Sequence, residues 1–172
     1  MKLCLVRHGI AGERGAAYPD DSQRPLTEKG RARMHVAAMG LRKLVKPDAF
    51  LTSPLVRARE TAEILLDVYG VKKLHVSDAL ANGNHEALFA DANALGCEVV
   101  VAVGHEPFIS QTLALALTGN EAGLVATFKK GAAALLTFDG PATPGKGMLE
   151  WLIQPAGLRA IGGSGGRDLG SD

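Results

Sequence analysis

The chain has 172 residues and a formal net charge of +1, with 19 Lys and Arg against 18 Asp and Glu. This length fits one domain with a full hydrophobic core. The balanced charge excludes a long basic arm for nucleic acid or an acidic tail. Aromatic residues make up only 5% of the chain, which argues against a base-stacking surface. We therefore expect no nucleic-acid partner.

The two cysteines, Cys4 and Cys97, both stand in apolar runs. Two thiols cannot build a disulfide scaffold, so we expect buried, reduced cysteines. The apolar run at residues 3–6 is too short for a secretory signal, and no apolar run is long enough to span a bilayer. These observations predict a cytoplasmic protein without membrane contact.

Predicted strands and helices alternate along the first two thirds of the chain. Short apolar runs predict four strands, at residues 3–6, 49–52, 74–76 and 99–103. Apolar residues at helical spacing predict four helices, at residues 27–45, 54–70, 86–95 and 107–117. We expect Thr27 and Ser53 to cap the first two helices. The polar stretches 10–24 and 78–84 are predicted loops.

The remaining chain predicts two more strands, at residues 133–138 and 148–153. Strand–helix alternation of this kind predicts an α/β fold, a three-layer αβα sandwich with a largely parallel central sheet. We expect a single domain over residues 1–160 and a Gly-rich tail over residues 161–172.

Polar residues follow three of the predicted strands. Arg7 and His8 follow the first strand, Ser53 follows the second, and His105 follows the apolar strand in the centre of the sheet. Arg57 lies one turn into the helix after Ser53. Ligands of parallel sheets bind beyond the carboxyl ends of the strands, so these side chains are predicted to share one site.

The residue types at this site suit phosphate chemistry. Guanidinium groups such as those of Arg7 and Arg57 bind phosphate oxygens as rigid forks. A helix start beside Ser53 would favour an anion, and Gly9 would let the backbone approach that anion closely. A neutral imidazole such as that of His8 can attack phosphorus.

Four sequence blocks carry a family resemblance. They read LVRHG at residues 5–9, RPLTEKG at 24–30, SPLVRARET at 53–61 and VGHEP at 103–107. In this order they resemble the histidine phosphatase superfamily. The short chain is most similar to the SixA-type phosphohistidine phosphatases. The resemblance implies a phosphoglycerate mutase-like fold without a large cap insertion.

The resemblance also implies roles for individual residues. His8 would be the nucleophile that accepts the phosphoryl group, while Arg7, Arg57 and His105 would hold the phosphoryl oxygens. Arg24 would lie at the mouth of the pocket and reach phosphate or substrate. No metal and no other cofactor is expected.

The proton donor is the point where the chain departs from the superfamily. Members that cleave phosphate esters carry an acid after the third strand, where this chain has Asn82 and Asn84. Glu86, His85 and Glu106 are the candidate donors, although His85 also fits an exposed loop and Glu106 a helix cap. A phosphohistidine substrate would explain a missing acid, because imidazole is a far less basic leaving group than an alkoxide.

The leading hypothesis is therefore a phosphatase that acts on phosphohistidine of a signalling or phosphorelay protein. A small-molecule phosphomonoesterase and a non-catalytic phosphate-binding module remain alternatives. The presence of both His8 and His105 argues against the binding module, which would need only arginines and N–H donors. A metal site formed by these histidines with His85 is disfavoured, because the nearby arginines would repel a cation. In another alternative, Arg7 forms only a structural ion pair with Asp20 or Asp21.

Overall fold

The computed structural model describes residues 1–163 as a six-stranded sheet with helices on both faces. The strands are β1 (Lys2–Arg7), β2 (Ala49–Thr52), β3 (His75–Val76), β4 (Val99–Gly104), β5 (Ala133–Phe138) and β6 (Gly147–Ile153). The helices are α1 (Glu28–Leu44), α2 (Val56–Tyr69), α3 (Ala79–Asn82), α4 (His85–Ala94), α5 (Phe108–Thr118) and α6 (Pro155–Gly163). No helix within residues 1–163 is both long and apolar enough to cross a membrane.

The strand order across the sheet is β3-β2-β4-β1-β5-β6. The first four of these strands are parallel, and β5 and β6 are added in antiparallel pairs. The prediction of an α/β sandwich with a largely parallel sheet is therefore confirmed. The strands β1 and β4 lie in the middle of the sheet, as the continuous apolar run of β4 indicated.

Alternating residues of β1 point into two separate hydrophobic cores. Leu3 and Leu5 pack on the face covered by α3, α4 and α5, whereas Cys4 and Val6 pack on the face covered by α1, α2 and α6. Burial raises the pKa of the Cys4 thiol to about 12, so it behaves as a small apolar core residue. Because both faces of β1 are packed in these cores, the residues directly after β1 are also held in a fixed place.

The two predicted helix caps have different outcomes. Thr27 caps α1 as expected, and its Oγ1 accepts a hydrogen bond from the Gly30 amide at 2.9 Å. Ser53 does not cap α2, because the backbone stays extended through Leu55 and the helix begins only at Val56. The Ser53 hydroxyl instead accepts a hydrogen bond from the Leu55 amide at 3.3 Å.

The short helix α3 lies inside the predicted loop at residues 78–84. Two of its side chains, Ala79 and Leu80, are buried against the sheet. Tertiary burial therefore outweighs the polar composition of this segment. The segment still connects β3 with α4, as predicted, but residues 79–82 of it are helical.

The second missed helix is α6, which crosses the predicted domain boundary at residue 160. It packs on α1 so closely that a Cβ atom on Gly40 would lie 1.9 Å from the Leu158 carbonyl oxygen. A Cβ on Gly162 would lie 2.1 Å from the Val36 carbonyl oxygen. Residues 161–163 of the predicted tail are thus helical, and the rest of that tail lies outside the described residues.

Candidate active site

The carboxyl ends of the central strands meet at one edge of the sheet. In the parallel pairing of β1 with β4, Arg7 lies beside Gly104. The residues that follow the two strands, His8 and His105, therefore lie together, with their ring centroids 5.0 Å apart. Strand β2 pairs with the other side of β4, which brings Ser53 to the same edge.

His8 is a buried imidazole whose orientation is fixed by one hydrogen bond. Its Nδ1 lies 2.7 Å from the Gly9 carbonyl oxygen. A carbonyl can only accept, so the neutral ring carries its proton on Nδ1 and a free lone pair on Nε2. Burial, the ring of His105 and the charges of Arg57 and Arg7 lower the pKa of His8 to about 3. His8 is therefore neutral at physiological pH, with Nε2 available as a nucleophile.

Gly9 supports the backbone behind the nucleophile. Its amide donates to Thr61 Oγ1 at 3.0 Å, and that hydroxyl donates to the Arg57 carbonyl at 2.7 Å. The Gly9 amide is thus already used, and Gly9 lines a neighbouring groove instead of the cleft that contains His8. These contacts give no amide of Gly9 to the cleft, so the expected phosphate-binding role of Gly9 stays a prediction. A Cβ at this position would lie 3.3 Å from Leu26, so the missing side chain serves close packing.

Arg7 is held against the segment that precedes β5. Its Nη1 donates to the Phe128 carbonyl, and no ion pair with an aspartate of the 10–24 loop is present, contrary to the alternative interpretation. The Phe128 amide donates to Glu106 Oε1 at 3.2 Å, and the Ser110 hydroxyl donates to Glu106 Oε2 at 2.6 Å. Burial lowers the pKa of Arg7, and the Glu106 carboxylate opposes that shift. Glu106 therefore braces the loop that positions Arg7.

Asp21 anchors a cluster of guanidinium groups. Its Oδ2 lies 3.0 Å from Arg57 Nη2, and its Oδ1 lies 3.1 Å from Arg24 Nη2 and 3.0 Å from Arg14 Nε. Its carbonyl also accepts from Arg57 Nη1 at 2.8 Å. Burial raises the pKa of Asp21, but the three guanidiniums, led by Arg57, hold the net pKa below its ordinary value. One ionised carboxylate therefore orients three cations.

His105 has one ring nitrogen paired and one free. Its Nε2 lies 2.8 Å from Ser53 Oγ, while its buried Nδ1 has no hydrogen-bond partner among the described residues. Burial and the charge of Arg57 lower the pKa of His105 to about 4, so the ring is neutral. If the Ser53 hydroxyl donates to Nε2, then Nδ1 carries the proton and can donate to a phosphoryl oxygen. Ser53 therefore contacts the site through His105.

A cleft of about 380 Å³ collects these side chains. Six of the residues singled out from the sequence line it: Arg7, His8, Arg24, Arg57, His105 and Glu106. The sequence analysis missed Glu13 and Arg14, which also line the cleft. They lie in an irregular loop where no periodic pattern predicts which way a side chain points. Asp21 was missed as an anchor for the same reason, although its spacing of three residues from Arg24 was a usable signal.

His85 and Glu86 lie away from this cleft, at the start of α4. The Asn84 side chain caps α4, so His85 becomes the first helical residue and packs inward instead of lying in an exposed loop. Its Nδ1 lies 2.9 Å from Thr112 Oγ1, and its Nε2 lies 3.4 Å from Glu121 Oε2. Both residues line a separate pocket of about 520 Å³. The structure therefore does not bring these two candidate proton donors together with His8.

The same geometry excludes the histidine metal site considered from the sequence. His85 lines a different pocket from His8 and His105. Within residues 1–163, no three or more His, Cys, Asp or Glu side chains are grouped as potential metal ligands. The described cleft is also lined by Arg7, Arg14, Arg24 and Arg57, which would repel a cation.

Comparisons with known proteins find a matching family and similar chains. Residues 3–95 match the family model of the histidine phosphatase superfamily (branch 1). An uncharacterised protein of Picosynechococcus sp. is 38% identical over 132 residues, which cover 72% of this chain and 79% of that protein.

Two solved structures are examples of similar folds. The protein histidine phosphatase SixA complexed with tungstate is 28% identical with a TM-score of 0.79, covering 92% of this chain and 99% of that chain. A phosphoserine phosphatase from Entamoeba histolytica, in complex with 3-phosphoglyceric acid, is 18% identical with a TM-score of 0.68, covering 91% and 98%. At that identity the second match shows the fold alone.

Proposed function

This chain belongs to the histidine phosphatase superfamily, and from that membership we propose that it hydrolyses phosphohistidine on a protein through a phospho-His8 intermediate. It is a phosphatase similar to SixA. The observation that carries the proposal is the neutral His8 ring, with a free lone pair on Nε2, in a cleft lined by Arg7, Arg57 and His105. The proposed partner is a cytoplasmic signalling or phosphorelay protein.

In the first step, His8 Nε2 attacks the phosphorus atom and a new P–N bond forms. The bond between phosphorus and the substrate histidine breaks, and its electron pair stays on that nitrogen. A proton on the other ring nitrogen of the substrate makes the departing imidazole neutral. Arg7, Arg57 and the His105 Nδ1–H stabilise the charge on the three phosphoryl oxygens, as fixed donors in a buried site do. The protein partner leaves as an unmodified histidine.

In the second step, water attacks the phosphorus atom of phospho-His8. The P–N bond breaks with its electron pair returning to Nε2, the water oxygen stays on phosphorus, and the water proton leaves with the inorganic phosphate or passes to solvent. The hydrogen bond from Nδ1 to the Gly9 carbonyl holds the ring in the same orientation throughout. His8 is returned neutral for the next cycle.

The cleft favours a leaving group that needs little help from an acid. Glu106 already accepts hydrogen bonds on both carboxylate oxygens, and Glu13 is exposed at the rim. An alkoxide requires a positioned acid worth about 10²–10⁴-fold in rate. Imidazole, with a pKa of about 6.5, departs neutral once its ring carries a proton. This difference supports phosphohistidine as the substrate.

A small-molecule phosphomonoesterase is the second candidate. The observation that favours it is the presence of the Glu13 and Glu106 carboxyl groups in the cleft wall. Either group would have to be protonated and reach the ester oxygen of the substrate. The two candidates differ in how the rate depends on the leaving group.

The leaving-group prediction separates these candidates. We expect fast phosphate release from a phosphohistidine peptide and slow release from the matching phosphoserine peptide and from sugar phosphates. Across a series of aryl phosphates, the rate should fall steeply as the pKa of the leaving phenol rises. A flat series, or fast turnover of an alkyl phosphate, would establish the phosphomonoesterase, and Glu13→Gln and Glu106→Gln would then identify its acid.

The nucleophile is tested by trapping the intermediate. Wild-type protein quenched during turnover should carry a phosphoryl group that survives base and is lost in acid. His8→Ala should carry none and should not turn over. The matched control is His35→Ala, because His35 is exposed on α1 and outside the cleft. Equal labelling of His8→Ala and wild type would disprove the assignment.

A further inference from the structure

We propose that a basic groove beside the active-site cleft docks an acidic surface of the phosphorylated partner protein. This inference rests on the proposed function and adds the chemical class of the partner. The basic groove is defined by three cationic side chains, Arg33, Lys130 and Arg159, around the backbone of Gly9 and Gly131.

The groove and the cleft share one lining residue. Lys130 lines both of them, and Gly9, which follows the nucleophile directly, forms part of the groove wall. Under the proposal, a protein whose phosphohistidine enters the cleft reaches the groove with its neighbouring surface. Arg33 comes from α1 and Arg159 from α6, so the well-packed pair of helices holds two of the cations in place.

The three cations have no anionic partner in the described part of the chain. Ion pairs link three of the arginines around the cleft to one carboxylate: Arg14, Arg24 and Arg57 pair with Asp21. No such pair includes a side chain of the basic groove. Arg33 and Lys130 are exposed to solvent, and Arg159 is half-buried. Their positive charge is therefore available to a ligand.

The start of α6 adds to the positive field. Pro155, its first residue, lines the groove. The first turn of α6 contains no acidic residue to neutralise the positive end of the helix dipole. The groove thus combines three unpaired cations with a helix start, and both features attract carboxylates.

An exposed apolar segment, which one hydrogen bond links to the residue before α6, points to a protein partner. Val125 is 94% exposed and Leu124 is 38% exposed. The same segment is joined to the start of α6, because Gln154 Nε2 donates to the Thr127 carbonyl at 2.7 Å. Protein interfaces combine apolar contacts with a charged rim, whereas a small phosphorylated metabolite would have no use for an apolar patch outside the cleft.

The experiment uses phosphohistidine peptides that differ only in their flanking residues. One peptide carries Asp and Glu around the phosphohistidine, and the other carries Asn and Gln. We expect wild-type kcat/KM to be roughly 10-fold or more higher for the acidic peptide, the lower end of measured electrostatic steering effects. The preference should shrink as salt is raised, because exposed charges are screened.

Charge reversal tests the groove itself. The double variant Arg33→Glu with Arg159→Glu should abolish or invert the preference while leaving turnover of p-nitrophenyl phosphate unchanged. The matched control is Lys72→Glu with Lys73→Glu, which makes the same charge change after the far end of α2, at exposed positions. The control should keep the preference of the wild type.

The outcomes separate this proposal from the proposed function. If wild type hydrolyses both peptides equally, or if the control variant loses the preference as fully as the groove variant, the docking surface is disproved and the phosphohistidine activity stands. If neither phosphohistidine peptide is hydrolysed while p-nitrophenyl phosphate is, the proposed function fails and the docking proposal fails with it. A groove variant that is equally slow on p-nitrophenyl phosphate would place these cations in the phosphate pocket and overturn the proposal.

Discussion

Asp21 does not line the cleft, yet its carboxylate contacts three arginines that do. Its carboxylate contacts Arg57, Arg24 and Arg14, so one side chain sets the direction of three guanidiniums. Without this counter-charge the buried Arg57 guanidinium would keep only its hydrogen bond to the Asp21 carbonyl and would be held less firmly in place. We therefore treat Asp21 as a positioning residue for Arg57.

The first prediction compares Asp21 with the arginine that it positions. Arg57→Ala should lower kcat/KM for p-nitrophenyl phosphate by roughly 10²–10³-fold, the usual loss for one donor to a developing oxyanion. Asp21→Asn should lower it by up to about 10²-fold, the scale of a misplaced catalytic group. Asp20→Asn is the matched control, because the Asp20 carboxylate hydrogen-bonds to Ser22 and pairs with no described arginine. Wild-type activity in Asp21→Asn would show that Arg57 needs no anchor.

The second prediction concerns pH and the two neutral histidines. The pKa of His8 is about 3 and that of His105 about 4, whereas both have a pKa near 6.5 in an unfolded chain. The unfolded state therefore binds more protons between these values. Stability should be fully present above pH 6.5 and should fall steadily as the pH drops toward 4. The pH profile of kcat/KM should show no enzyme group titrating near 6.5.

Urea unfolding at pH 7 and pH 4.5 provides the measurement. His8→Ala removes one of the two depressed groups, so this variant should lose less stability than wild type between the two pH values. An equal loss in both proteins would mean that His8 titrates normally in the folded state.

Much of the residue-scale site follows from the sequence. His8 and His105 directly follow two strands that are parallel neighbours. Parallel strands end at the same edge of a sheet, so the sequence predicted that the two rings share one site. Asp21 and Glu13 lie in a loop, where contacts depend on a backbone path that no periodicity describes. The burial of His85 was missed because a capped helix start, not a loop, begins at residue 85.

The C-terminal part of the fold is held by the packing of α6 against α1. The two helices approach so closely that backbone carbonyls occupy the space of a side chain at Gly40 and Gly162. The sequence analysis did not predict α6, because its glycines weaken helix propensity. Pro155 at its first position was an available signal, since proline is favoured there. Packing against α1 therefore stabilises α6, which its own helix propensity would not stabilise.

The third prediction tests this crossing. Gly40→Ala should lower the free energy of unfolding by about 1–3 kcal/mol or more, because the added methyl meets a backbone carbonyl that cannot rotate away. Gly163→Ala, on the same crossing helix, should be neutral or slightly stabilising, since a Cβ there has no atom within 4 Å. Urea denaturation of both variants provides the measurement. Equal stability of Gly40→Ala and wild type would refute the close approach.

At the scale of the whole molecule, the protein concentrates positive charge at one edge of its sheet although its net charge is only +1. Arg7, Arg24 and Arg57 line the cleft, and Lys130 joins the cleft to the basic groove. Guanidinium groups can neutralise a transferring phosphoryl group as metal ions do in other enzymes. The charge that phosphoryl transfer needs can therefore come from side chains.

The fourth prediction follows from this charge distribution. A chelator should leave the rate of p-nitrophenyl phosphate hydrolysis unchanged, and adding Mg²⁺ after chelation should not raise it. Vanadate and tungstate should inhibit competitively with phosphate esters, because they are anions of similar shape and charge. Strict dependence on an added divalent metal would contradict the prediction.

The strand order also determines when this protein can become active during folding. Strand β1 carries the nucleophile at its end, and Lys2 pairs with Val99 on one side and with Thr137 on the other. Pairings this distant along the chain form slowly, because a long loop must close before any contact is gained. A nascent chain that has exposed only its first half has no neighbour for β1, and the phosphate-binding residues remain apart. We therefore expect the active site to form late in folding, after β4 and β5 have paired with β1. Phosphatase activity should then appear only when the sheet is complete.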